Sequence, residues 1–165
     1  MGLRGWIVAA ALLAPTLAAA EGRAAPAALS AADRAAAFRA AGFTLQRGQW
    51  KACDDPGTAS YQPGAIEAVR DLNGDGRPEA VITEGSGACF GGAEVGYALV
   101  SKQANGSWKL ISGGAGIVSF LPTRGVGNWP DMEVGGPGFC FPVLRWNGRE
   151  YAFNRQQYEG RPCRR

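Results

Sequence analysis

The stretch DLNGDGRPEAV, residues 71–81, decides how the surrounding chain folds. Side chains that carry oxygen recur at its first, third, fifth and ninth positions, and Gly76 stands at the sixth. A glycine there permits the left-handed backbone of a sharp turn. Calcium takes about six to eight oxygen ligands from flexible loops, and this spacing directs such ligands toward one centre. The predicted ligands are Asp71, Asn73, Asp75, the backbone carbonyl of Arg77, and Glu79.

An ordinary polar turn is the alternative interpretation, because Asn73-Gly74 and Asp75-Gly76 can close a hairpin without metal. A plain turn does not explain three carboxylates in nine residues, since like charges at short range destabilise one another. We therefore predict a bound calcium ion (Ca2+). The five donors nearly fill its coordination shell and the chain has no histidine to assist catalysis, so the predicted role of the ion is structural.

The loop differs from an EF-hand, which has a bidentate glutamate at position twelve, where this chain has Ile82. Pro78 and the β-rich residues after it predict a strand. Residues 71–83, DLNGDGRPEAVIT, closely resemble the calcium hairpin of FG-GAP/VCBS repeats, the repeat type of integrin α-chain propellers. The resemblance implies that the five ligands named above bind calcium and that the ion is structural.

A second, weaker copy of this pattern follows. GDGRPEAVI (74–82) resembles GNWPDMEV (127–134), and each copy continues through a glycine-rich stretch, Cys-Phe, an apolar strand, an Asn-Gly turn and an aromatic strand. The order predicts two blade-like repeats, at about 65–112 and 116–158. The second copy lacks the run of carboxylates, so we expect no ion there. A closed propeller needs at least about four blades, which this chain cannot supply.

Other signals complete the predicted fold. Ser30 is a good N-cap, Asp33 suits the first helical turn, and Gly42 is a stop, which together predict a helix over 31–41. A hairpin at 43–53 follows. The predicted class is mainly β, with antiparallel meander sheets in two blade-like repeats and one short N-terminal helix, and not a closed propeller. We expect the glycine-rich loops at 84–96 and 135–142 to lie together.

The N-terminus predicts export. Arg4, the apolar run from residue 6 to 17 and the alanines at 18–20 have the pattern of a cleaved signal peptide over residues 1–20, with an uncleaved anchor as the alternative. Residues 21–29 read as a flexible leader, and 30–165 as one domain. We predict a periplasmic or secreted protein with no stable membrane span after cleavage.

Four cysteines behind an export signal predict two disulfides, and three pairings are open. The internal repeat places Cys89 and Cys140 in equivalent positions. We therefore favour Cys53–Cys89 and Cys140–Cys163, each of which would join one repeat to its flank.

The chain contains no histidine, which excludes Ser-His-Asp and Cys-His catalysis and nearly all catalytic zinc sites. Its basic residues are scattered and its net charge is +3, so no nucleic-acid face is predicted. Glu84, Glu94, Asp131 and Glu133 raise the question of glycosidase chemistry, but nothing in the sequence pairs them.

Aromatic residues in the two glycine-rich stretches, with one tryptophan before the second, either fill a small core beside the disulfides or form a ligand surface; we favour the core. They are Phe90, Trp129, Phe139 and Phe141. The leading functional hypothesis is an exported, calcium-stabilised, non-catalytic binding module for a protein or envelope glycan. A small carboxylate-dependent hydrolase of envelope polysaccharide and a secreted inhibitor of an envelope-degrading enzyme are the alternatives.

Overall fold

The computed structural model describes residues 28–164, so the predicted signal peptide and most of the leader lie outside the described residues. The helices are α1 Ala31–Ala40 and α2 Gly87–Phe90. The strands are β1 Thr44–Gln46, β2 Gln49–Lys51, β3 Gln62–Arg70, β4 Glu79–Gly85, β5 Val95–Lys102, β6 Trp108–Ala115, β7 Ile117–Arg124, β8 Pro130–Gly135, β9 Phe141–Trp146, β10 Tyr151–Tyr158 and β11 Arg161–Pro162.

Two antiparallel meander sheets dominate the structure. The first sheet has the strand order β3-β4-β5-β6, and the second has the order β11-β10-β9-β8-β7. The first sheet corresponds to the predicted repeat at about 65–112, and the second sheet corresponds to the predicted repeat at about 116–158. Both sheets keep free edges within residues 28–164, so neither closes into a barrel. The predicted fold class, with two blade-like meanders and no closed propeller, is confirmed.

Strand β5 shows how the layers are ordered. Its side chains alternate between faces. Ala98 and Val100 pack with α1 on one face, and Tyr97 and Leu99 pack against the second sheet on the other. Both faces are covered, which explains why nearly the whole strand is apolar and buried. The first sheet is therefore the middle layer.

Helix α1 begins and ends where the sequence predicts, within one residue. The Ser30 side chain accepts a hydrogen bond from the Asp33 N–H at 3.1 Å. The Asp33 carboxylate also binds Lys102 Nζ of β5, at 2.8 Å, and Trp108 Nε1 of β6, at 3.0 Å. The ring of buried Phe38 stacks on Trp50. These contacts fix the helix and the β1–β2 hairpin over the outer face of the first sheet.

The structure adds one helix that the glycine-rich sequence did not predict. Gly87–Phe90 form a single turn whose N-cap is Ser86, which accepts a hydrogen bond from the Cys89 N–H at 3.1 Å. Strand β3 also begins earlier than expected and contains Pro63, which an edge strand tolerates. Among the described residues, no helix has both the length and the apolar character needed to cross a membrane.

Candidate metal centre

The loop between β3 and β4 is organised around the side chain of Asp71. Its Oδ1 accepts hydrogen bonds from the N–H groups of Gly74, at 2.8 Å, and Asp75, at 3.2 Å. Its Oδ2 accepts one from Gly76 at 2.9 Å. Both glycines have φ of 81°, a left-handed conformation that side chains disfavour. The loop backbone thus wraps around the first predicted calcium ligand.

The next two predicted ligands contact each other. Asn73 Oδ1 accepts a hydrogen bond from the Asp75 N–H at 3.0 Å, and its Nδ2 donates to Asp75 Oδ2 at 3.2 Å. Asp75 also forms an ion pair with the Arg77 guanidinium, and both side chains are partly exposed. An ion pair of this kind contributes about 0–1 kcal/mol. A divalent cation can therefore compete with Arg77 for this carboxylate.

Glu79 is the fifth predicted ligand and the first residue of β4. Its side chain is 1% exposed and lies on the face of the first sheet that meets the second sheet. It accepts hydrogen bonds from the Leu72 N–H, at 2.7 Å, and from Ser101 Oγ, at 2.8 Å. Burial raises the pKa of Glu79, and the negative charges of Asp75 and Asp71 raise it further, while the two hydrogen bonds oppose this change.

These carboxylates are neighbours but do not converge on one point. Within residues 28–164, no three histidine, cysteine, aspartate or glutamate side chains lie close enough together to hold a metal ion. Asp71 and Asp75 accept bonds from their own loop, whereas Glu79 is bound at the base of the loop. The donor set has the chemistry that calcium prefers, and the calcium site stays a prediction.

The second sheet contacts the backbone of this loop directly. Arg124 Nη1 donates to the Leu72 carbonyl at 2.7 Å and to the Asn128 carbonyl at 3.0 Å. Asn128 Nδ2 donates to the Asn73 carbonyl at 2.8 Å. Asn128 belongs to the corresponding loop of the second repeat, so the two loops lie side by side. Any ion held by residues 71–79 would therefore also strengthen the contact between the sheets.

Asp131 is the counterpart of Glu79 in the second repeat. It follows Pro130 in β8 as Glu79 follows Pro78, and its side chain is fully buried. Arg145 Nε donates to its Oδ1 at 2.8 Å, and Arg155 Nη1 donates to its Oδ2 at the same distance. Two guanidinium groups thus supply the positive charge in the repeat for which the sequence predicts no ion.

Several aspartates are more acidic in the folded chain than in a free peptide. Hydrogen bonds lower the pKa of Asp33, chiefly from Lys102, and the pKa of Asp55, chiefly from Ser86. Burial raises the pKa of Asp131, but the hydrogen bonds from its arginines outweigh this and the net pKa lies well below the usual range.

Acid is therefore expected to destabilise the protein. A carboxylate with a depressed pKa stabilises the fold above its unfolded value of about 4, and this contribution is lost as the pH falls through the folded value. Chemical unfolding measured from neutral pH down to about pH 2 should give a falling free energy of unfolding below about pH 4. The free energy of unfolding of Asp131→Asn should fall less over that range than that of the wild type. A free energy of unfolding that is independent of pH would contradict the lowered pKa values of these aspartates.

Both predicted disulfides are confirmed. Cys53 is joined to Cys89, and Cys140 to Cys163. The two glycine-rich loops also meet as expected, because a Cβ added to Gly92 would lie 3.4 Å from the ring of Pro137. Two disulfides suggest folding in an oxidising, extracellular environment.

The four aromatic residues singled out in the sequence do not form one surface. Trp129 is buried between the sheets against Trp146 and Tyr151, so it belongs to the core. Phe90 lies elsewhere, against β5. Phe139 and Phe141 both contact Tyr158, and Phe139 is 61% exposed. We refer to Phe139, Phe141 and Tyr158 as the aromatic edge.

Three of the four carboxylates considered for glycosidase chemistry have protein partners, and the fourth, Glu94, is exposed. Glu84 accepts hydrogen bonds from the Tyr61 hydroxyl and from the N–H groups of Ala52 and Cys53. Asp131 is bound by arginines, and Glu133 accepts a hydrogen bond from Gln157 Nε2 at 2.7 Å.

Comparison with protein-family models, curated proteins and solved structures found no match for this chain. The resemblance to FG-GAP/VCBS repeats therefore rests on residues 71–83.

Proposed function

We propose that the protein is an exported, calcium-stabilised binding module without catalytic activity. The observation that carries this proposal is the loop at 71–79, which wraps its backbone around Asp71 and places Asp75 and buried Glu79 beside it. Two disulfides support export to the periplasm or the extracellular space.

Calcium would bind Asp71, Asn73, Asp75, the Arg77 carbonyl and Glu79 and would offset the repulsion among the three carboxylates. The ion would stabilise the loop electrostatically and would take no part in catalysis. The comparison with Asp131 supports this role, because two arginines balance that buried carboxylate, whereas Glu79 accepts its bonds from neutral groups.

Calcium is expected to raise the melting temperature. Extracellular modules bind calcium with a Kd of about 10⁻⁴–10⁻³ M, so about 10 mM calcium should raise the free energy of unfolding by roughly 1.4–2.7 kcal/mol. Thermal unfolding with calcium and with chelator would measure this shift, and Asp75→Ala should abolish it. Asp54→Ala, at an exposed position in another loop, is the matched control. Equal melting curves with calcium and with chelator would remove the calcium proposal.

The bonding of the candidate acids favours binding over hydrolysis. A glycosidase needs two carboxyl groups that face the same sugar bond. Glu84 and Asp131 are instead buried and engaged by protein donors. A binding module needs only an accessible surface, and the aromatic edge offers exposed rings suited to a protein or glycan.

The aromatic edge can be tested with a matched pair of variants. Envelope polysaccharide and envelope protein, each immobilised separately, would be incubated with the wild type, with Phe139→Ala and with Phe153→Ala. Phe153 is 65% exposed, close to the 61% of Phe139, and is not among the three residues of the aromatic edge. Retention should fall for Phe139→Ala alone. Equal retention of all three proteins, or release of cleaved sugar, would contradict the proposal.

A further inference from the structure

A cavity of about 380 Å³ opens on the side of the first sheet that faces α1. It lies beyond the end of the helix, between β5, β6 and α2. Its walls are mostly apolar, and Phe43 and Phe90 are its aromatic residues on this face. Tyr97 borders the cavity through its backbone, because its ring lies on the face that meets the second sheet. None of the residues 71–79 lines it. This cavity is separate from both the candidate metal centre and the aromatic edge.

Glycines shape the cavity. A Cβ on Gly96 would overlap the ring of Phe90, so the absence of a side chain lets this ring lie directly against β5. A Cβ on Gly113 of β6 would point to the α1 side of the sheet, 3.2 Å from the Tyr97 carbonyl oxygen and 4.0 Å from the Leu110 side chain. Gly113 therefore keeps volume free that a larger residue would occupy.

One buried carboxylate forms part of the wall. Glu84 is 2% exposed, and it accepts hydrogen bonds from Tyr61 Oη and the Cys53 N–H, each at 2.9 Å, and from the Ala52 N–H at 3.2 Å. All three donors are neutral. Lys51 Nζ lies 4.6 Å from the centre of the Tyr61 ring. Within residues 28–164, no lysine or arginine forms an ion pair with Glu84.

We propose that this cavity binds a small organic ammonium ion of the quaternary type. Such a cation has an apolar methyl surface that fits an aromatic wall, and aromatic faces attract it through cation–π interactions. The carboxylate of Glu84 supplies the complementary charge, which a purely apolar ligand would leave unused. The proposal goes beyond the function proposed above and does not depend on calcium.

Two probes of the same shape test the role of charge. Choline carries a quaternary ammonium, and 3,3-dimethylbutan-1-ol is its neutral carbon analogue. Titration of the full chain, followed by amide NMR, should show saturable choline binding with shifts at Gly96, Gly113 and Gly114. The alcohol should bind at least about tenfold more weakly. Equal affinities, or no saturable binding of choline, would overturn the proposal.

Three variants test the location. Gly113→Val should fill the cavity and abolish choline binding. Gly114→Val is the matched control, because Gly114 is the next residue of β6 and its Cβ would point to the opposite face of the sheet, 3.6 Å from the Tyr97 ring. Glu84→Gln should reduce the affinity for choline to that for the alcohol. If Glu84→Gln fails to fold, the comparison of choline with the alcohol and the comparison of the two Gly→Val variants still test the proposal. Choline binding that survives in Gly113→Val would refute the site.

Discussion

Replacing Asp131 with alanine is expected to lower the free energy of unfolding by about 3 kcal/mol. The substitution leaves the guanidinium groups of Arg145 and Arg155 without the carboxylate that both contact at 2.8 Å. Their side chains are 39% and 30% exposed, so water can take over part of the interaction. For this reason the expected loss lies at the lower end of the range for broken buried ion pairs.

Chemical unfolding monitored by tryptophan fluorescence would measure this loss. Asp54→Ala changes an exposed aspartate and should stay within about 0.5 kcal/mol of the wild type. Combining Asp131→Ala with Arg145→Met and Arg155→Met should recover part of the stability, because no charge is then left unpaired. An Asp131→Ala protein as stable as the Asp54→Ala control would show that the network contributes little.

Removing the Cys53–Cys89 disulfide should have a comparable or larger effect. It joins residues 36 apart, and the chain-entropy model predicts a loss of about 4 kcal/mol for a loop of that length. Cys140–Cys163 joins residues 23 apart and should contribute slightly less, about 3 kcal/mol. The measurement is chemical unfolding of the two double Cys→Ala variants. Unchanged stability in either variant would contradict the pairing.

The ion-pair network also explains how two blades form a folded unit without a propeller. One face of the first sheet packs against the second sheet, and the other is covered by α1 and the hairpin. On β8, Met132 faces the first sheet, so its neighbours Asp131 and Glu133 face away. A polar layer formed by Thr123, Asp131, Arg145 and Arg155 covers that outer face. Terminal repeats of stacked proteins need such a polar face.

Local patterns in the sequence were enough to predict much of this fold. The helix bounds follow from Ser30 and Gly42, and the Asn-Gly turns at 105–106 and 147–148 fix two strand pairs. The shared order of motifs predicted the two meanders and placed Cys89 and Cys140 in equivalent positions. The Pro-acid pair at 130–131 pointed to a counterpart of Glu79, although its two arginine partners could not be foreseen.

Other features depend on contacts between distant residues. Arg124 reaches the Leu72 carbonyl across 52 positions, and Glu79 meets Ser101 across 22. No spacing rule connects such pairs. The sequence left open whether Trp129 lies in a core or on a surface and favoured a core beside the disulfides, whereas the structure buries it between the two sheets. The sequence offered Glu84 only as one of four acids without a predicted partner, and only the fold places it in a cavity wall.

Calorimetric titration of the chelator-treated protein with calcium tests the central claim most directly. We expect one site per chain with a Kd of about 10⁻⁴–10⁻³ M, and we expect no binding heat in Asp71→Ala, which removes the side chain at the centre of the loop. Absence of binding heat in the wild type, or equal affinity in Asp71→Ala, would contradict the assignment of residues 71–79 as a calcium site.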